Sequence, residues 1–241
     1  MTITAADQEA APAVQRPRGR GEQAVELLVF LFLIMPSMLL SLAAVRQGSV
    51  SFVIAAVAAI LRDLALVSLI LFFLWRNLEP VARIGWSLKR AGREVLLGIV
   101  LFPAIFFGTA YVDQALIRAG LSAPSTPLPS FLDARLPSEY LLATVLVAVV
   151  AVAEETIFRG YLMLRLTAIT RSPAFAALAS AVIFSVGHGY EGMAGVVTVG
   201  TLGLVLAILY LSRGNLVAAV CVHFLQDFVS IVVLPLAGAT S

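Results

Sequence analysis

Both histidines in this 241-residue chain, His188 and His223, lie inside strongly apolar stretches, as do the acid pair Glu154-Glu155 with Arg159 and the acid Asp227. Ionisable groups at such depth are costly in a membrane and are usually kept for chemistry. Their spacing divides them into roles. Glu155 and Arg159 are four apart, so on a helix they can pair on one face. Glu154 points about 100° away from Glu155 and has no partner at that spacing, which leaves it the free carboxylate. His223 and Asp227 are again four apart and share a face. If the chain turns near Arg171, Glu154 stands 17 residues before the turn and His188 17 after it, at matching depth in an antiparallel helix pair. A carboxylate in an apolar site suits general-base work on a water molecule. The imidazoles and Asp227 could then hold either a tetrahedral oxyanion or a metal ion. Each group alone has a blander reading: a lone buried histidine is more often a packing residue, and two adjacent acids at a helix end are more often solvated. Cys221, two residues from His223 and about 200° round the helix, reads as packing rather than as a nucleophile. It is the single cysteine, so no intramolecular disulfide can form.

These groups require helices to place them. Apolar residues make up 61% of the chain and charged ones only 12%, with a mean hydropathy of +1.01. Soluble domains carry about 25% charge. A soluble enzyme, a disordered chain and a nucleic-acid binder are therefore poor first readings, despite a net charge of +2 and a pI near 9.0. The composition predicts an all-α polytopic bundle of about seven transmembrane helices (six to eight) around an intramembrane polar cavity. Residues 1–23 read as a polar, disordered tail without the apolar core of a signal peptide. Residues 24–241 read as one transmembrane domain. Its spans are expected at Leu27–Val45, Val50–Trp75, Val95–Ile117, Tyr140–Ala153 continuing to about Thr170, Ala174–His188, Gly192–Leu211 and Leu216–Leu236. The second, interrupted by Arg62 and Asp63, is either one span with Arg62 turned toward other helices or an interfacial segment leading into a shorter one. Arg76–Glu94 reads as a basic amphipathic connector on the membrane surface, with Ile84, Trp86 and Leu88 among its charges. Pro124, Pro127, Pro129 and Pro137 mark an extended loop. Gly195, Gly200 and Gly203 would allow close helix contact.

With the N-terminus in the cytoplasm, the inner segments hold Arg16, Arg18, Arg20, Arg76, Arg83, Lys89, Arg90, Arg93, Arg159, Arg165, Arg171 and Arg213. The outer loops hold only Arg46, Arg118 and Arg135, a marked positive-inside bias. One tension remains. His188 falls near the outer end of its helix and His223 just past a cytoplasmic turn, so they meet only if a helix tilts or breaks near Gly187, Gly189 and Gly192 or the sixth helix is displaced toward one leaflet.

Glu154-Glu155-Thr156-Ile157-Phe158-Arg159-Gly160-Tyr161 resembles the EExxxR motif of the CAAX-protease and bacteriocin-processing (CPBP) family. Phe184-Ser185-Val186-Gly187-His188 resembles its FxxxH motif, and His223-Phe224-Leu225-Gln226-Asp227 its HxxxN/D motif. Order and apolar setting match as well, over roughly Tyr140 to Leu236. The resemblance implies an intramembrane endopeptidase of the type II CAAX prenyl protease kind, acting on a membrane-associated, CAAX-like, lipidated or bacteriocin-type peptide or protein. It implies Glu154 as the base that activates water with help from His188, His223 and Asp227 as the oxyanion hole, and Glu155 and Arg159 in support. The eukaryotic members carry Asn where this chain has Asp227, and an ionised Asp would repel an oxyanion. The role therefore requires a protonated or hydrogen-bonded carboxyl, which an apolar site allows. No cofactor is implied, with zinc held by Glu154, His188, His223 and Asp227 as the alternative. The expected setting is the lipid bilayer of a bacterial inner membrane, with no nucleic-acid partner. Two competing classes use the same features: a non-catalytic scaffold or bacteriocin-immunity protein, and an ion-coupled transporter, against which stands the lack of half-sequence symmetry.

Overall fold

The computed structural model describes residues 18–47, 51–123 and 134–238, with residues 36–47 described by backbone alone. All regular structure among them is helical. In order these are α1 (Arg20–Gln47), α2 (Phe52–Arg76), a 3₁₀ turn (Val81–Ile84), α3 (Ala91–Arg118), α4 (Pro137–Glu154), a π-helical stretch (Glu155–Leu162), α5 (Met163–Thr170), α6 (Pro173–Val186), a 3₁₀ turn (Gly189–Glu191), α7 (Gly192–Arg213), α8 (Val217–Asp227) and a second π-helical stretch (Phe228–Val233) running on to Leu236. Five helical segments among the described residues are long and apolar enough to cross a membrane: Phe52–Arg76, Ala91–Arg118, Pro137–Thr170, Gly189–Arg213 and Val217–Leu236. The bundle is a polytopic membrane protein, and its outward surface is studded with exposed Leu, Val, Ile and Phe side chains as lipid contact requires.

Local chemistry sets the boundaries. Pro137 opens α4 at its first turn, where the missing N–H costs nothing, instead of lying in the expected loop. Glu139 there accepts from the backbone N–H groups of Arg135 (2.8 Å) and Leu136 (3.0 Å). The proline-marked stretch 124–133 lies outside the described residues. Ser172 caps α6 by accepting from the Phe175 N–H at 3.2 Å, with Pro173 next. Arg171 takes the left-handed conformation that ends α5, so the turn falls where the hairpin arithmetic needs it. The part of the tail that is described departs from expectation, since Arg20–Gln23 already form the first turn of α1. Residues 1–17 lie outside the described residues.

Two further expectations change. The stretch interrupted by Arg62 and Asp63 is one continuous helix, α2, with an Arg62 Nε–Asp63 Oδ1 bond of 2.8 Å. The connector is less superficial than its charges suggest. Ile84 is fully buried, and a Cβ on Gly160 would stand 2.8 Å from the Ile84 carbonyl oxygen. Glycine is thus required at 160 for the connector to lie against the π-helical stretch.

The core has two parts along α2 and α4. Phe52 and Ala56 pack with Ala143, Leu146 and Val150 in one cluster. Leu66, Ile70, Phe73 and Leu74 pack with Ile157, Phe158, Tyr161 and Leu162 in another, which also takes in Phe30 of α1 and Phe184 of α6.

Candidate active site

Glu154 is the last residue of α4, and the helix changes to π winding at the next position. Asp227 ends α8 and is likewise followed at once by π winding. π turns inside α-helices collect at functional sites because they re-aim side chains at the cost of regular hydrogen bonding. Here Ser180 Oγ donates to the Phe158 carbonyl at 2.8 Å and so supplies a donor to the rewound stretch.

The Glu155–Arg159 pair forms at 2.7 Å with both side chains almost wholly buried. Arg159 is held twice more. Its Nη2 donates to the Gly203 carbonyl at 3.2 Å, and its guanidinium lies 4.5 Å from the Phe184 ring centroid. A Cβ on Gly203 would come within 3.2 Å of that Nη2 and 3.1 Å of Phe184, so the close approach expected of this glycine is real. Glu155 Oε1 also meets His223 Nδ1 at 2.8 Å. With Glu155 as acceptor, the Nδ1 position carries the proton, and His223 Nε2 is turned toward Asp227 Oδ2 (3.4 Å) and Glu154 Oε2 (3.7 Å).

His188 is not in the helix where its spacing put it. α6 ends at Val186, and His188 sits in the short connection to α7, its Nδ1 3.1 Å from the Phe184 carbonyl oxygen. Gly187, Gly189 and Gly192 flank the break, and Gly192 has a φ of +74°, which a side chain would strain. The helix therefore ends before His188, and the break lets both histidines lie beside Phe184. Phe184 joins them, its ring centroid 4.8 Å from that of His188 and 6.1 Å from that of His223. His188 and Glu154 make no ion pair within 4 Å, but His188, His223, Arg62 and Asp63 all act electrostatically on Glu154.

The proposed zinc set does not converge. Among the described residues no three His, Cys, Asp or Glu side chains are grouped to hold a metal ion. His223 Nδ1 is engaged by Glu155, and His188 Nδ1 lies against a backbone carbonyl. The residues as placed fit a hydrogen-bonding site better than a coordination shell. Cys221 packs where a Cβ on Gly98 would fall, 2.7 Å from its own Cβ.

Two side chains beside this site were not attached to it by motif or spacing. Trp86 Nε1, from the connector, donates to Thr156 Oγ1 at 2.9 Å, one residue past Glu155. Asp63, 1% exposed, stands on α2 in the gap between the two core clusters. Its interruption of an apolar run was the one available signal.

Residues 136–229 match a family model described as type II CAAX prenyl endopeptidase Rce1-like. No curated protein and no solved structure matches the chain. The matched segment contains Glu154, Glu155, Arg159, His188, His223 and Asp227, and leaves out α1 to α3. Over residues 136–229, under half of its length, this chain is similar to the Rce1-like, CPBP-type family that its three motifs resemble.

Proposed function

We propose that this integral membrane protein is an intramembrane endopeptidase that cleaves a peptide bond in a membrane-associated substrate of CAAX-like or lipidated type by means of water activated by Glu154. The observation that carries the reading is the free oxygen of that carboxylate. Glu154 Oε2 is buried without a hydrogen-bond partner, 3.7 Å from His223 Nε2, whereas the neighbouring Glu155 is tied by its Oε1 to both Arg159 and His223. A buried acceptor without a donor is expensive unless a reacting molecule supplies one.

In the proposed step, Glu154 takes a proton from water as its oxygen attacks the substrate carbonyl carbon, and the carbonyl electron pair moves onto oxygen. His188 assists from the α6–α7 connection. His223, its Nδ1–H held by Glu155, stabilises the oxyanion through Nε2–H in the imidazolium form. Asp227, 3.4 Å from His223 Nε2, contributes through that histidine, and Arg159 fixes Glu155. The proton on Glu154 then passes to the departing amine nitrogen as the C–N bond breaks.

The test is cleavage of an internally quenched, farnesylated peptide ending in Cys-Val-Ile-Met by the full-length protein in proteoliposomes. Glu154→Gln should remove about 10³-fold or more of the rate while the protein stays monodisperse. Equal cleavage by the wild type and Glu154→Gln, or none by the wild type, overturns the reading. A cellular phenotype unchanged by Glu154→Gln and His188→Ala would favour a scaffold or immunity protein instead.

A further inference from the structure

Asp63 and Arg62 belong to α2, outside the residues matched to the family. The two core clusters fix the register of α2 against the long Pro137–Thr170 helix. Above, Phe52, Ala56 and Ile60 share a cluster with Leu146 and Val150. Below, Leu66 and Ile70 share one with Ile157 and Tyr161. The position between them on the buried face of α2 is Asp63, and the position between Val150 and Ile157 on the facing helix is Glu154. The helices run in parallel here, so the two carboxylates fall level. Electrostatic coupling of Asp63 with His223, and of Glu154 with both Asp63 and Arg62, agrees with that register.

Each carboxylate has one buried oxygen without a hydrogen bond. Asp63 Oδ1 accepts from Arg62 Nε at 2.8 Å, while Asp63 Oδ2 is buried and has none. Glu154 Oε2 is in the same condition. A water molecule has two hydrogens to donate, and two level acceptors suit it. Resting on the protease reading above, we propose that Asp63 is a positioning residue for the attacking water: its Oδ2 and Glu154 Oε2 accept the two hydrogens of one water molecule and turn its lone pair toward the substrate carbonyl. Glu154 alone takes the proton. Asp63 keeps its hydrogen bond and its charge through the step, with Arg62 neutralising that charge and fixing the plane of the carboxylate. The site is thereby completed by an element that the three motifs do not contain.

The experiment measures kcat and KM on the farnesylated Cys-Val-Ile-Met peptide with the full-length protein. Asp63→Ala should lower kcat about 100-fold, the scale of a misplaced reacting group, with KM unchanged. Asp63→Asn, which keeps an acceptor oxygen, should recover most of that loss. The decisive variant is the double replacement Arg62→Met with Asp63→Leu, which strands no charge and keeps the side-chain bulk. It should be as slow as Asp63→Ala. Wild-type kcat in Asp63→Ala, or recovery in the double variant, overturns the proposal by showing that Asp63 serves only to neutralise Arg62. Should Asp63→Ala not assemble, the double variant decides alone. All these outcomes presuppose a wild type that cleaves and a Glu154→Gln that does not, so failure of the protease reading is seen separately.

Discussion

Arg159 holds a full charge at 1% exposure, and three groups from three helical stretches are arranged to hold it. Removing one member of a buried ion pair strands the other, which typically costs about 3–5 kcal/mol, whereas replacing both with apolar residues is often neutral. Glu155→Ala should therefore lower the thermal midpoint in detergent steeply, and Glu155→Leu with Arg159→Met should restore much of it. Neither should cleave peptide, because both lose the acceptor that fixes the His223 ring at 2.8 Å. A double variant that regained stability and activity together would show the pair to be scaffolding alone. The legibility of this site in the sequence follows helical spacing. Glu155–Arg159 and His223–Asp227 are four apart, and one turn of helix brings such residues together whatever the rest of the chain does. The Glu155–His223 and Arg159–Gly203 bonds join residues 68 and 44 apart, and no periodicity reaches across that distance.

At the scale of elements, the two π-helical stretches carry most of what spacing arithmetic could not provide. A 100° step places Glu154 and Glu155 correctly at the end of α4, but the rewinding from Glu155 to Leu162 re-aims the side chains beyond it. No residue type in that stretch announces π winding, which comes from packing: Ile84 presses on Gly160 and Ser180 supplies a donor to Phe158. Gly160→Ala should accordingly cost about 1–3 kcal/mol, since the new methyl would meet a backbone oxygen that cannot rotate aside. Trp86→Phe keeps the ring but loses the bond to Thr156, and should cost about 1 kcal/mol. Thermal unfolding measures both, and a wild-type midpoint in Gly160→Ala would mean that the connector yields freely. The break after Val186 was better signalled. Glycines at 187, 189 and 192 marked it as one way to bring the histidines together, although the helix itself was expected to reach His188.

On the scale of the molecule, a charge deficit and long apolar runs were enough to predict a helical membrane bundle, because lipid permits few other solutions. They could not show how the bundle is fastened at one end. There Arg165, fully buried, bonds Glu26 of α1 at 2.8 Å and Glu79, just beyond α2, at 2.6 Å, while Asn77 and Tyr161 also donate to Glu26. Arg165→Met takes the buried cation from two carboxylates that keep Arg18 and Arg83 as partners, and should destabilise by about 1.5–3 kcal/mol, read as loss of the thermal midpoint. Orientation is testable on the same chain. In a Cys221→Ala background, a cysteine placed at Arg171 should resist an impermeant maleimide applied to intact cells, and one at Arg118 should react. The reverse pattern would invert the positive-inside assignment. Helix α6 has a consequence for the lipid itself. Its 14 residues rise only about 21 Å, against a hydrocarbon core of about 30 Å. Phe175, Leu178, Val182 and Val186 form an exposed greasy stripe along it. Acyl chains beside that stripe must shorten or bend to match it. Local thinning of the bilayer is one way to meet so short a span, and it would fall beside the helix that ends at the candidate site.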